Sequence, residues 1–290
     1  MNVDKHIINK PKFFKETKTS DIILKSLVYF VSFFVISFFI AFIIYIFYNG
    51  ARQMKFLLTL KKENSLNIWP SLINTIYVEF LSLLVATPIG IATAIYLTQY
   101  KKNRKLIKII NFSVEILASM PSILLGLFGY NTFCLKFGIK PSILAASLTL
   151  SCCILPIIIM TSKEALLCVP KSYKQAAFSL GAGKLKVILT VVLPSAMPGI
   201  ITAIILAMGR IIGESAALIL TIGNSNKLPE NLISHIFQGG KTLTLQLYYL
   251  AGNATAPNSM QLCFAIATIL IVLIFILNSL TKLIINRFKK

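Results

Sequence analysis

An arginine and a glutamate, Arg210 and Glu214, lie four residues apart in a stretch that is otherwise apolar. A charge at the centre of a membrane helix costs about 2.5–3.5 kcal/mol on insertion scales, so such residues usually face a bundle interior or water. Residues four apart share one face of a helix and can pair. A guanidinium also donates two parallel hydrogen bonds to a phosphate-like anion. The spacing therefore predicts either a structural ion pair or a contact for an anion in transit.

The neighbours of the two charges suggest how such a path would work. An arginine alone would hold a divalent anion tightly, and conduction requires binding loose enough for release. We expect the carboxylate of Glu214 to compete for the guanidinium and to weaken that hold. Gly209, Gly213 and Ser215 flank the charges.

The elements that must position these residues are long apolar segments. Hydrophobic residues make up 56% of the 290 residues, which exceeds the roughly 45–50% of soluble domains. A bilayer span needs about 20 mostly apolar residues. Six segments meet this length: Leu27–Tyr48, Ser71–Gln99, Ile109–Leu135, Pro141–Ser162, Gly199–Ile222 and Leu262–Thr281. The sequence predicts an all-α polytopic membrane protein, with a tail at 1–26 and one transmembrane domain at 27–290.

The net charge of +20 is distributed unevenly between the two sides of the predicted bundle. With both termini on one side, that side carries 20 Lys and Arg residues and the other carries 8. This is the positive-inside bias, and it predicts that both termini are cytoplasmic. The basicity then reflects topology and contact with anionic lipid. It does not indicate a nucleic-acid-binding protein.

Several other classes of function find little support in the sequence. The five cysteines form no CxxC pair, and four of them lie in or beside apolar spans, which favours packing over metal or redox chemistry. Both histidines, His6 and His235, lie outside the spans. The string FQGGKT at 237–242 lacks the first glycine of a P-loop, because His235 occupies that position. We therefore expect no metal site, no catalytic residue, no cofactor bound by this chain and no ATP site.

Two stripes of small residues at four-residue spacing predict close helix packing. Gly199, Ala203 and Ala207 form one stripe, and Gly209, Gly213 and Ala217 form the other. Small residues at this spacing let helix backbones approach in lipid. The partner helix is expected either in the same chain or in a second subunit.

One predicted cytoplasmic connection, residues 163–198, differs from the others and is called the motif loop below. It is predicted to contain a short helix opened by Pro170, a turn at Gly181 and Gly183, and a second helix. Tyr173, Ala176, Ala177 and Leu180 recur at helical spacing and predict an apolar face suited to the groove of a partner. The other long connection, Gly223–Gln261, is predicted to be external and contains no residue pattern that indicates a chemical function.

The motif loop resembles the signature loop of ABC-importer permeases. That pattern is Glu-Ala-Ala, three residues, Gly, nine residues, a branched apolar residue, any residue, then Leu-Pro. The spacing matches throughout, with Gln175 in place of Glu and Val191 in place of Ile. The matching residues, with two flanking positions of the same loop, are Glu164, Pro170, Gln175, Ala176, Ala177, Gly181, Leu193 and Pro194. The resemblance implies that these residues couple the chain to an ATPase.

Neighbouring segments are similar to phosphate permeases of this class. Residues 194–223 keep the Gly-Arg and Gly-Glu pairs of the family's fifth span, with Ser215 in place of Thr. The resemblance implies that Gly209, Gly213 and Ser215 belong to the substrate path with the two charged residues. The strings EILASMPSILLGLFGY at 115–130 and TPIGIATAIYLTQY at 87–100 resemble two further segments of the family. The run ESAAL favours the PstA type over its paralogue PstC. The chain is thus identified as a member of the PstA-type permeases of phosphate importers.

The resemblance implies the type I fold of ABC-importer permeases in the bacterial inner membrane. It implies a transport subunit rather than an enzyme, with ATP hydrolysed by a separate ATPase dimer. It also implies a paralogous permease and an extracytoplasmic phosphate-binding protein as partners. An importer for another oxyanion or solute stays open as an alternative, and an intramembrane enzyme is a more distant one.

Overall fold

The computed structural model describes residues 18–59, 67–100, 103–225, 231, 234–252 and 259–288, and every regular element in these ranges is helical. The α-helices are α1 Lys18–Thr59, α2 Trp69–Gln99, α3 Arg104–Ser119, α4 Ser122–Gly129, α5 Ile143–Leu167, α6 Lys171–Ser179, α7 Lys184–Val187, α8 Leu193–Gly213, α9 Leu218–Thr221, α10 Leu243–Gly252 and α11 Ser259–Phe288. Turns with π-helical hydrogen bonding cover Tyr130–Lys136 and Ile188–Val192, and a 3₁₀ turn covers Ser234–Phe237.

The chain divides into two units, residues 1–48 and 49–290. The described part of the first unit is a continuous stretch of α1, which begins at Lys18. From Leu27 to Tyr48 this stretch contains no charged residue and is apolar on every side, as a helix surrounded by lipid or protein should be. The second unit contains the rest of α1, the remaining helices, Arg210 and the motif loop.

Within the described ranges, five helices are long and apolar enough to cross a bilayer, and a bent pair supplies a sixth candidate. The bent pair corrects the predicted third span, Ile109–Leu135. That segment is not one straight helix, because the chain turns by 107° between α3 and the helix that starts at Ser122. Met120, which ends α3, is extended at φ −68° and ψ 134°, because proline disfavours helical backbone in the residue before it.

The predicted fifth span, Gly199–Ile222, is also displaced. The helical segment runs from Lys184 to Gly213, through α7, a π-helical turn and α8. It stops before Glu214, whose ψ of 126° is extended. Arg210 therefore lies in the last turn of α8 rather than at a helix centre.

The centre of the second unit is the contact between α2 and α5. Ser82 Oγ donates to the carbonyl of Ser147 at 3.1 Å, and Ser151 Oγ donates to the carbonyl of Ser82 at 3.1 Å. Small side chains bring these backbones close enough for such bonds. Gly90 continues the approach, since a Cβ there would meet Ile158 at 2.6 Å. The resulting pair of helices forms the scaffold against which α8 packs.

Candidate functional site

Arg210 is exposed at the end of α8, and its guanidinium touches α5. Nη2 donates a long hydrogen bond to the sulfur of Cys153 at 3.6 Å. A thiol is a weak acceptor, and a guanidinium carries five N–H donors. Among the described residues, Arg210 makes no other hydrogen bond and no ion pair within 4.0 Å. The side chain thus has donors available for an anion.

Glu214 does not occupy the position that the four-residue spacing predicted. The helix has ended one residue earlier, so Arg210 and Glu214 do not share a helix face, and no ion pair within 4.0 Å joins these two described residues. The carboxylate Oε1 instead accepts from the backbone N–H of Ala217 at 3.3 Å. The carbonyl of Glu214 accepts from Thr244 Oγ1 in α10 at 3.0 Å. The prediction of a helical ion pair is wrong, because the turn satisfies this carboxylate locally.

Helix α4 packs against the turn between α8 and α9. Ser215 accepts hydrogen bonds from the amides of Leu218 and Ile219 at 3.1 and 3.2 Å, which closes the turn. Gly126 lies directly against Ala217, since a Cβ on Gly126 would meet the carbonyl oxygen of Ala217 at 2.8 Å. A residue larger than glycine at 126 would displace the turn that carries Glu214.

The two stripes of small residues have different surroundings. Gly199 contacts Ala165 of α5, and both Ala203 and Ala207 are fully buried, so the first stripe packs within the chain. The second stripe does not continue to Ala217, because α8 ends at Gly213 and Ala217 is fully buried against Gly126. A Cβ on Gly209 or Gly213 would meet nothing within 4 Å. Arg210 therefore projects from a stretch of α8 whose small residues leave an open surface in the single chain.

The motif loop has the local structure that the sequence predicts, with one exception. Pro170 is the residue before α6, and Gly181 ends the helix with φ of +79°, a conformation that favours glycine. Gly183 was expected to adopt a left-handed angle as well, but its φ is −67° and it starts α7. The helix, turn and helix order is confirmed.

The predicted apolar face of α6 is divided between two environments. Tyr173 and Leu180 are exposed, Leu180 at 87%, and Ala176 is exposed beside them. Ala177 instead packs against an internal cluster that includes Ala94 and Val187. The face available to a partner, called the docking face below, is therefore Tyr173, Ala176 and Leu180.

Two lysines attach the motif loop to the end of α2. Lys174 Nζ donates to Gln99 Oε1 at 3.1 Å. Lys184 Nζ lies 4.0 Å from the centroid of the Tyr100 ring, a cation–π geometry. The helices on both sides of the Gly181 turn thus contact two consecutive residues at the same helix end.

The remaining motif residues lie along the same region. Glu164 is exposed near the end of α5, and Gln175 is exposed on α6. Leu193 and Pro194 were expected in the loop, but they form the first turn of α8 inside the continuous segment Lys184–Gly213. Pro194 follows the π-helical turn Ile188–Val192, where the regular α-helical hydrogen-bond pattern is already interrupted, so its missing N–H falls at an irregular position.

Three contacts of the candidate site were missed from the sequence. Cys153 holds the guanidinium, Thr244 holds the Glu214 carbonyl, and Gly126 supports the turn. Gly126 lies in the segment 115–130 that resembles the permease family, and a packing role for this glycine could have been inferred from that resemblance. Nothing in the sequence pairs Cys153 with a residue 57 positions away, or Thr244 with one 30 positions away.

Comparison with known proteins identifies the family. The family model for the binding-protein-dependent transport system inner membrane component matches residues 86–290. A probable ABC transporter permease protein of Bacillus subtilis, YqgI, is 30% identical over 81% of this chain and 84% of its own length. The phosphate transport system permease protein PstA 1 of Mycobacterium tuberculosis is 31% identical over 71% of this chain. That match spans 66% of the mycobacterial protein, just under two thirds.

Solved structures agree on the fold. A chain of the bacterial ABC transporter that imports the polysaccharide alginate superimposes with a TM-score of 0.65 at 16% identity, covering 95% of this chain and all of that one. A chain of the MetNI methionine ABC transporter gives 0.60 at 20% identity, covering 77% and 94%. The predicted all-α importer-permease fold is confirmed. This chain belongs to the family of binding-protein-dependent transport system inner membrane components, and it is a multi-pass permease subunit of an ABC importer.

Proposed function

We propose that this permease carries inorganic phosphate and that Arg210 contacts the anion. The observation that carries the proposal is the exposed guanidinium at the end of α8, which uses one donor on a weak sulfur acceptor. A phosphate oxygen is a far better acceptor and fits the guanidinium in two parallel bonds. Gly209 and Gly213 leave room beside it, and Glu214 with Ser215 shapes the turn that follows.

The substrate class is supported by relatives. PstA 1 of Mycobacterium tuberculosis and PstA of Xylella fastidiosa, 37% identical over 60% of this chain, are named phosphate transport permeases. The name of YqgI of Bacillus subtilis specifies no substrate, and the solved structures belong to transporters of other solutes. An importer of another oxyanion is therefore the competing function.

The motif loop is proposed to bind the ATPase. Its docking face exposes apolar side chains on a short helix, which suits insertion into a groove on a partner. ATP is then bound and hydrolysed by that ATPase dimer, and this chain binds no cofactor itself. The open surface at Gly209 and Gly213 is proposed to face a paralogous permease.

The orientation and remaining partners follow from charge. We propose that both termini and the motif loop lie in the cytoplasm, because that side of the chain carries 20 of the Lys and Arg residues and would face anionic lipid headgroups. The long connection, residues 223–261, then lies on the side where an extracytoplasmic phosphate-binding protein delivers the anion.

Anion competition tests the proposed substrate. The whole importer, with its ATPase, second permease and binding protein, is reconstituted in vesicles, and uptake of labelled phosphate is measured with unlabelled phosphate, sulfate or molybdate in excess. Unlabelled phosphate should suppress uptake, and the other anions should not. Absence of ATP-dependent phosphate uptake, with uptake of another anion in its place, would assign the importer to that anion.

A further inference from the structure

Helix α2 makes specific polar contacts at both of its ends. At one end, Gln99 and Tyr100 receive Lys174 and Lys184 of the motif loop. Near the other end, Thr75 Oγ1 accepts from the backbone N–H of Leu243 at 3.0 Å. About 25 residues at 1.5 Å per residue place these two sets of contacts about 37 Å apart. One helix thus joins the motif loop to the start of α10.

The far end of α2 is fixed by more than one bond. The Asn74 carboxamide oxygen lies 2.7 Å from His235 Nε2, and its nitrogen donates to the carbonyl of Lys241 at 3.3 Å. Both Asn74 and His235 are buried, and Gly240 packs directly against Asn74. The bond between Asn74 and His235 joins two buried side chains, while His235 Nδ1 has no hydrogen-bond partner among the described residues. Moving either segment alone would leave further buried polar atoms unpaired, so these bonds favour one arrangement. The segment 235–243 therefore moves with the end of α2.

From α10 the contacts continue to the candidate anion site. Thr244, next to the residue bound by Thr75, donates its hydroxyl to the carbonyl of Glu214. Thr242 Oγ1 lies 3.1 Å from Thr244 Oγ1 and accepts from the amide of Leu245, which fixes the first turn of α10. A shift of α2 along its axis would thus move the turn that follows Arg210.

We propose that α2 transmits the state of the motif loop to the Arg210–Glu214 turn. Lys174, Lys184, Thr75 and Thr244 act as positioning residues along this connection. When a partner displaces α6, the two lysines displace the end of α2, and the threonines displace the turn at the other end. This inference rests on the proposed docking of the ATPase at the motif loop, and it holds for any transported solute.

Amide hydrogen exchange in the whole importer tests the inference. Exchange at the amides of Leu243 and Ala217 is compared without nucleotide and with a non-hydrolysable ATP analogue. We expect the analogue to change exchange at both amides. In the double variant Lys174→Ala/Lys184→Ala that change should shrink by about two- to tenfold, the range in which residues along a coupled connection modulate it.

Matched variants separate transmission from general damage. Lys171→Ala/Lys186→Ala removes two lysines from the same two helices and should leave the nucleotide effect intact. Lys174→Arg should preserve the nucleotide effect on exchange. Gln99→Glu should preserve or enlarge this effect, because it replaces a neutral hydrogen-bond acceptor with a charged one. A purely structural loss would shift exchange equally in both nucleotide states, so the readout is the difference between the states.

The threonine end has its own pair of variants. Thr244→Val removes the hydroxyl bound to Glu214, and it should reduce the nucleotide effect at Ala217 while keeping that at Leu243. The remaining effect at Ala217 would come through the helical segment Lys184–Gly213, which ends at the same turn. Thr93→Val, on a hydroxyl bonded within α2 itself, is the control. An undiminished nucleotide effect in the Lys174/Lys184 variant, or no nucleotide effect in the unmodified importer, overturns the inference. Because exchange requires no substrate, failure of phosphate uptake contradicts only the proposed substrate.

Discussion

The motif loop and the turn after α8 are both marked by recognisable sequence patterns, yet they are built in different ways. In the motif loop, Pro170 precedes the helix and Gly181 ends it, and both act through their own backbone preferences. At the turn, the conformation of Glu214 depends on Thr244 and Gly126, which come from distant parts of the chain. A docking surface can be presented by local structure, whereas an ion path inside a membrane needs groups from several helices.

The largest expected effect is at Arg210. Replacing the guanidinium in Arg210→Gln removes the charge that would contact the anion, and two charge-assisted hydrogen bonds correspond to a loss of at least about 100-fold in uptake. Labelled phosphate uptake in vesicles measures the loss, and co-purification of the ATPase and second permease checks assembly. Uptake at the unmodified level by the assembled variant would remove Arg210 from the path.

The motif loop offers a pair of substitutions that should act differently. Leu180→Asp places a charge on the docking face and should weaken ATPase co-purification about tenfold or more, with little change in the stability of the chain. Ala177→Asp places the charge against the cluster with Ala94 and should destabilise the chain by about 1–3 kcal/mol. Co-purification and thermal unfolding in detergent distinguish them. If the two variants show the same co-purification and the same thermal unfolding, Leu180 and Ala177 do not lie in different environments on α6.

A smaller effect is expected beneath the turn. Gly126→Ala introduces a methyl group against Ala217 and should cost about 1–3 kcal/mol of stability through overpacking. Because the displaced turn carries Glu214, uptake should fall as well. Gly252→Ala is the control, since its Cβ meets nothing within 4 Å. Thermal unfolding and uptake are measured together, and a Gly126→Ala protein that matches the control in both would contradict the support role.

The smallest effect is expected at the sulfur contact. Cys153→Ala removes the acceptor of the guanidinium and should raise the KM for phosphate by about two- to tenfold, the range of one ordinary hydrogen bond. Cys153→Ser keeps an acceptor and should stay closer to the unmodified protein. Cys152→Ala, one residue along α5, should leave the KM unchanged. If Cys152 and Cys153 substitutions give the same KM, the contact does not position Arg210.

The apolar segments were predictable because each satisfies its own backbone hydrogen bonds and needs only sufficient length and hydrophobicity. The end positions were less predictable. The break at Met120–Pro121 and the end of α8 at Gly213 both fall inside apolar runs, where composition does not mark a boundary. Of these two boundaries, only the break at Pro121 has a local signal in the sequence, since proline disfavours helix in the residue before it.

By itself, the sequence determined that the chain has long apolar helical segments, the family pattern, and the order of helix, turn and helix in the motif loop, because these depend on hydrophobic length and on the backbone preferences of single residues. The tertiary structure decided what the side chains do. It separated Arg210 from Glu214, turned Ala177 inward, and joined Lys174 to Gln99 across 75 positions. Such contacts depend on which helices become neighbours, and spacing along one chain carries no information about that.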